Sequence, residues 1–281
     1  MYVSTIKGGV LSVLIFSLLS YLVPLPNIQT EGVEVVLTIS TFLFAILIGF
    51  FMSRLNSRYN EVRDAVANED SFFVSLYELT QYFDEEVIEQ VKELMDRYYI
   101  KSYDHILGMY YKVNAKEMHD LYQVFENAKL DDTPNGKEIY DVVVATLGSI
   151  EINRNKSSVL SNEGMRVGQW LMILMLGTII VFSLFIYGID TTYFHVITIL
   201  ISSTIIIIFL IMLDLQNFRL GGTLAVGESG QEVFEMIGRP RYYNKLFLDQ
   251  GLYKIPITVK TYRLGTHKPG EAFQIQLIKR S

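Results

Sequence analysis

The chain has 281 residues, half of them hydrophobic and only 19% charged, with a net charge of −6. The charged fraction sits below the ~25% of soluble domains, and the acidic balance leaves no basic footprint, which argues against nucleic acid as a partner. Without a single cysteine, disulfides, thiolate metal sites and cysteine nucleophiles are excluded together.

Charges are dense from Arg54 to Arg166 and from Asp214 onward, and nearly absent from four apolar blocks. That is the pattern of membrane spans alternating with aqueous regions. The first block runs from Ile6 to Val23. A helix of that length spans roughly 27 Å, close to the ~30 Å hydrocarbon core of a bilayer. Lys7 ahead of an apolar run also fits a signal peptide, but no small-x-small cleavage site follows, and Pro24 and Pro26 mark a turn into a second span. The loop from Pro24 to Glu34 holds Glu31 and Glu34 and no Lys or Arg.

The second block, Val35 to Met52, continues without Pro into a charged amphipathic segment ending at Glu69. This predicts one long helix that crosses the bilayer and runs on into the cytoplasm. Arg54, Arg58 and Arg63 follow the apolar part, and the positive-inside rule places that end in the cytoplasm. The third block, Trp170 to Tyr187, follows Arg154, Lys156 and Arg166. The fourth, Tyr193 to Leu213, is joined to it by the linker 188–192 and precedes Arg219. All four blocks agree on both termini inside, which predicts an integral protein of the plasma (inner) membrane.

Between the second and third spans the sequence reads as helical. Phe72, Phe73, Leu76, Leu79 and Phe83 fall near a 3.6-residue repeat, as do Val87, Val91, Leu94, Met95 and Tyr98. Asp84 and Asn114 stand at N-cap positions, the run 131–136 breaks the chain, and a further helix is predicted from about Lys137 to Ser161. After the fourth span Gly221-Gly222 breaks the helix, and residues 227–238 suggest a short helix. Ile255, Ile257, Val259 and Thr261 then alternate with polar or Pro neighbours, and Phe273, Ile275 and Leu277 repeat the pattern beyond a Gly- and Pro-rich turn. This predicts a β-hairpin, which is marginal alone and should pack on the helical domain or a neighbouring subunit. The fold class is therefore an all-α membrane protein: four transmembrane helices, a cytoplasmic helical domain and a small C-terminal β-hairpin. The division is 1–53 for spans one and two, 54–167 for the helical domain, 168–214 for spans three and four, and 215–281 for the C-terminal region.

Phe42, Ile46 and Phe50 share a face of the second span. Around a symmetry axis they would form stacked apolar rings that gate by dewetting; otherwise they face lipid or other helices. The competing stripe, Thr38, Thr41, Ala45 and Gly49, suits close helix packing or pore lining. Glu31 and Glu34 at an outer mouth would attract cations, or are solvated loop carboxylates. Arg54 and Arg58 at an inner mouth would favour anions, or serve as topology determinants. Arg58 to Glu61 has the spacing of an intrahelical pair. His105, His119, His195 and His267 include no pair at helical ligand spacing, and no metal site, cofactor or enzyme is expected. No charge sits in the middle of a span, which argues against a proton-coupled carrier.

Residues 42–79, FLFAILIGFFMSRLNSRYNEVRDAVANEDSFFVSLYEL, resemble the opening signature of the bestrophin-like domain family of bacteria and plants. The matching features are the Phe-rich span ending Gly49-Phe50, then Arg58-Tyr59-Asn60-Glu61, Arg63 and Glu69. Arg154 before the third span, and Leu213-Asp214-Leu215 with Gly221-Gly222 after the fourth, are also similar. The resemblance covers roughly residues 1–225 and leaves the hairpin outside. It implies an analogy to bestrophins: pentameric channels for inorganic ions, with four spans per subunit and a pore lined chiefly by the second. Animal bestrophins carry an acidic, calcium-binding run after the fourth span, where Asp214 here stands alone, so calcium gating is not carried over. The expected function is a homo-oligomeric ion channel; a membrane-anchored sensor or scaffold whose cytoplasmic helices bind a partner is the alternative.

Overall fold

The computed structural model describes residues 5–22, 31–105, 109–128, 134–187, 191–219, 223–224 and 227–280. The turn at Pro24 and Pro26, the breaker residues 131–133, the linker residues 188–190 and Gly221-Gly222 lie outside the described residues. In chain order the helices are α1 (Thr5–Leu22), α2 (Glu31–Thr80), α3 (Glu85–Tyr103), α4 (Tyr110–Val113), α5 (Ala115–Asn127), α6 (Pro134–Asn162), α7 (Val167–Tyr187), α8 (Thr192–Gln216), α9 (Gln231–Met236) and α10 (Lys245–Asp249). The strands are β1 (Arg241–Asn244), β2 (Thr261–Gly265) and β3 (Ile275–Lys279). Backbone contacts divide the chain into two units, Met1–Tyr59 with Gly164–Gly222, and Asn60–Glu163 with Thr223–Ser281.

The first unit holds four helices long and apolar enough to cross a membrane, α1, the beginning of α2, α7 and α8. Each coincides with a predicted apolar block. α2 is longer than expected at both ends, so Glu31 and Glu34 occupy its first turn rather than a loop. Carboxylates are favoured there by the helix dipole, and no Pro occurs between Glu31 and Thr80. Small residues set the helix contacts. The buried residues of α1 are Gly8, Gly9, Ser12 and Ser20, and a Cβ added at Gly9 would lie 3.1 Å from the Ile207 side chain. Gly177 of α7 meets Phe209 at 3.1 Å and Ile205 at 3.2 Å in the same way. With no hydrophobic drive between helices in lipid, such close approach supplies the attraction. At the N-terminal end of α8, His195 Nδ1 shares a 2.6 Å hydrogen bond with the Ser20 hydroxyl and stacks on Tyr21.

The second unit is built on an aromatic core. Phe73 and Leu76 of α2 pack with Met95 and Tyr98 of α3, Leu121 and Phe125 of α5, and Leu147 of α6. Asp84 and Asn114 do stand at the N-cap positions of α3 and α5, but neither side chain caps its helix; the Asn114 amide donates to the Ser102 hydroxyl instead, at 2.7 Å. The tail completes this core with Phe234, Tyr242, Tyr243 and Tyr262.

The expected hairpin is one part of a three-stranded sheet. β2 pairs antiparallel with β3 (Thr261 opposite Lys279), and β1, which the periodicity did not reveal, pairs parallel with β2 (Arg241 opposite Tyr262). Ile255 to Val259 form no strand: Pro256 has no N–H to give to a ladder, and Ile257 is 96% exposed. Two polar clamps hold the sheet to α3. Arg263 grips both oxygens of Asp96 at 2.8 and 2.6 Å. Asp104, just past α3, accepts from Tyr242 (2.6 Å), Asn244 (2.7 Å) and His267 Nε2 (2.7 Å). Gln274 N–H donates to His267 Nδ1 at 3.1 Å, which assigns the ring proton to Nε2 and leaves no ring nitrogen for chemistry. His267→Ala removes a donor from a buried carboxylate and is expected to cost about 2 kcal/mol; thermal unfolding of the full chain in detergent reads this as a lowered Tm.

Candidate functional site

In the apolar part of α2, Ser40, Phe44, Ile48, Phe51 and Leu55 are buried and recur at steps of three and four, so they share one stripe. Phe44 packs edge-on against Phe209 of α8. The opposite side carries the Phe stripe, with Phe42 65%, Ile46 53% and Phe50 62% exposed. Thr38, Thr41, Ala45 and Gly49 are exposed as well. At 100° per residue Thr38 lies only about 40° from Phe42, so the two candidate stripes form one uncovered sector. A Cβ added at Gly49 would meet nothing within 4 Å, in contrast to Gly9 and Gly177.

The charged candidates separate. Glu31, Glu34 and Arg54 are exposed. Arg58 is 8% exposed: its guanidinium donates to the Gln216 carbonyl at 3.1 Å and lies over the Phe218 ring, 4.4 Å from the centroid. Its charge is thus engaged at the end of α8.

A second site lies in the second unit, where a pocket of about 60 Å³ is lined by Val66, Glu69, Asp70, Tyr99, Ser102, Tyr103, His105, Leu224, Ser229 and Tyr253. Glu69 and Asp70 stand well past the apolar stretch that ends at Met52, outside the membrane-spanning part of α2. Glu69 is buried and accepts from the Tyr98 hydroxyl at 2.5 Å. Asp70 accepts from the Tyr99 hydroxyl at 2.7 Å and from the Ser229 hydroxyl. Burial pushes the Asp70 carboxyl up to about 6, against the Ser229, Tyr99 and Gly230 hydrogen bonds that favour its charge, while nearby Glu232 adds to the rise. Burial likewise pushes the Tyr99 and Tyr103 phenols well above their ordinary range, so both remain hydrogen-bond donors.

Nothing in the residue spacing around Glu69 and Asp70 announces this pocket. A signal was present in Tyr98-Tyr99, which sit at core positions of α3. A buried tyrosine hydroxyl needs a partner, and two of them in succession call for acceptors from another element.

Arg58→Ala is expected to cost about 2 kcal/mol of stability through the lost charged hydrogen bond and cation–π contact. Arg54→Ala should stay within about 0.5 kcal/mol. Parallel thermal melts of the two variants test the separation.

Among known proteins, the family model described as a bestrophin-like domain matches residues 10–227. No curated protein and no solved structure gives a match. The matched stretch takes in most of α1, the whole of α2, α7 and α8, and the helices between them, and on that span the chain belongs to the bestrophin-like domain family.

Proposed function

We propose that the chain is the subunit of a homo-oligomeric ion channel whose pore is lined by α2. The observation that carries this reading is the uncovered sector of α2. One stripe of the helix is buried, while Phe42, Ile46 and Phe50 lie exposed on the other side, as a helix does when it waits for copies of itself around an axis. Family membership supports the same reading, and five subunits follow the bestrophin analogy. In the assembly, the three apolar side chains form stacked rings that control wetting, with Thr38 and Gly49 beside them. Glu31 and Glu34, in the first turn of α2, ring the outer mouth. Arg54 is offered for the inner mouth; Arg58 is not, because its charge is engaged by Gln216 and Phe218. Arg54 and Arg63 after the apolar part of α2, Arg166 before α7 and Arg219 after α8 favour both termini in the cytoplasm of a plasma-membrane protein.

Purified protein in planar bilayers tests the reading. Conductance above empty-liposome controls is expected, raised severalfold by Phe50→Ala as one apolar ring widens. Glu31→Gln with Glu34→Gln should move the reversal potential away from cation preference. No conductance together with a monomeric particle sinks the channel. A scaffold role then takes its place, in which Phe42→Ala and Phe50→Ala leave function intact and the second unit captures a specific protein.

A further inference from the structure

The pocket of the second unit holds carboxylates and no Lys or Arg among its described lining residues. The cations next to it in sequence are committed elsewhere. Lys101 gives its ammonium to Glu117 at 2.6 Å, and Arg241 pairs with Glu228 and Glu235. Asp70 receives the Tyr99 hydroxyl at 2.7 Å, the Ser229 hydroxyl and the Gly230 N–H. All three are neutral donors, which favour the ionised carboxylate without cancelling its charge.

Two further polar groups of the lining are left open. Tyr253 is 7% exposed, and its ring packs edge-on against Tyr103 and Phe247. Its hydroxyl has no hydrogen-bond partner among the described residues, although a buried phenol calls for one. His105 Nδ1 lies 2.9 Å from the Lys101 carbonyl, which can only accept, so the proton sits on Nδ1 and the neutral ring keeps a lone pair on Nε2. Asp70, His105 and Tyr253 thus offer acceptors from α2, from the turn after α3 and from the tail. At the ~15 Å³ that one water needs, the volume of about 60 Å³ has room for about four non-hydrogen atoms. No group of three His, Asp or Glu among the described residues is placed to hold a metal ion, which points to an organic cation.

We propose that this pocket binds a small primary ammonium ion, with its N–H groups on Asp70, His105 and Tyr253 and its alkyl part against the tyrosine rings. A primary ammonium has three N–H donors and no acceptor, which matches the three acceptors. Tyr99, Tyr103 and Tyr253 supply aromatic walls, to which a cation is further attracted. Occupied, the pocket ties the tail to α2 and α3. The site goes beyond conduction and stands or falls separately from it.

Thermal unfolding of the full-length protein in detergent, with ethylammonium chloride set against equal sodium chloride, is the test. A ligand of three heavy atoms binds at about a millimolar at best, so roughly 100 mM should raise Tm by a few degrees, saturably. Tetramethylammonium chloride, a cation without an N–H, should do no more than sodium. Asp70→Asn is expected to abolish the shift. Tyr253→Phe should weaken binding about fivefold and leave the ligand-free Tm unchanged, because its hydroxyl has no partner in the fold to lose; it carries the test if Asp70→Asn does not fold. The site is overturned if ethylammonium acts no more than sodium or if tetramethylammonium stabilises equally. It is also overturned if folded Asp70→Asn keeps the shift, or if Tyr253→Phe binds as tightly as the wild type.

Discussion

A buried stripe runs along α2 from Ser40, and each unit packs its own elements against its own part of that stripe. From Ser40 through Phe44, Ile48, Phe51, Leu55 and Tyr59 to Val62, Ala65, Glu69, Phe73 and Leu76, the buried positions recur at steps of three and four. A helix of fifty residues keeps such a stripe straight only if nothing breaks its hydrogen-bond ladder, and no Pro occurs in it. The two ends of the stripe are held by different forces. In the apolar part, packing density and close approach supply the attraction, which explains the glycines and serines buried in α1 and the Gly177 contact of α7. In the charged part, removal of apolar area from water takes over, and the partners become aromatic.

The aromatic solution brings a polar obligation. Tyr98, Tyr99 and Tyr242 are each buried to 4% exposure or less, and each donates its hydroxyl to a carboxylate, Glu69, Asp70 and Asp104 respectively. A tyrosine gives a large apolar body with one donor at its tip, so three carboxylates are drawn inside to satisfy three rings. Burial of a carboxylate disfavours its charge, and donors oppose that cost: Asp104 collects Tyr242, Asn244 and His267. Asp70 collects Tyr99, Ser229 and Gly230, and burial still pushes its carboxyl up.

What the sequence made legible follows from how local each signal is. The spans could be read because an apolar block needs no partner to be recognised, and α3, α5 and α6 could be read from their own periodicity. Glu31 and Glu34 were misplaced because a helix start depends on the turn before it, which composition does not locate. β1 went unseen because a four-residue buried strand, Arg241 to Asn244, has no alternation to show. Its pairing is with β2, some twenty residues away. The positions of the candidate pore residues on α2 were legible as a stripe; their exposure was not, because it depends on which face α8 covers through the Phe44–Phe209 contact. Arg58 shows the same limit. Spacing offers it Glu61 but says nothing of Gln216 and Phe218, which only tertiary structure brings to it.

The boundary of the family match sharpens the role of the tail. The match ends at residue 227, and the Ser229 and Gly230 contacts to Asp70 begin two residues later. Beyond it, Phe234, Tyr242, Tyr243 and Tyr262 fill the same core that Phe73, Tyr98 and Leu121 open from the matched part. Without those rings, Tyr98 and Tyr99 would lose neighbours that keep water out, and Asp104 would lose three of its donors. The residues outside the match are therefore structural members of the second unit, joined to its part of α2 at Asp70.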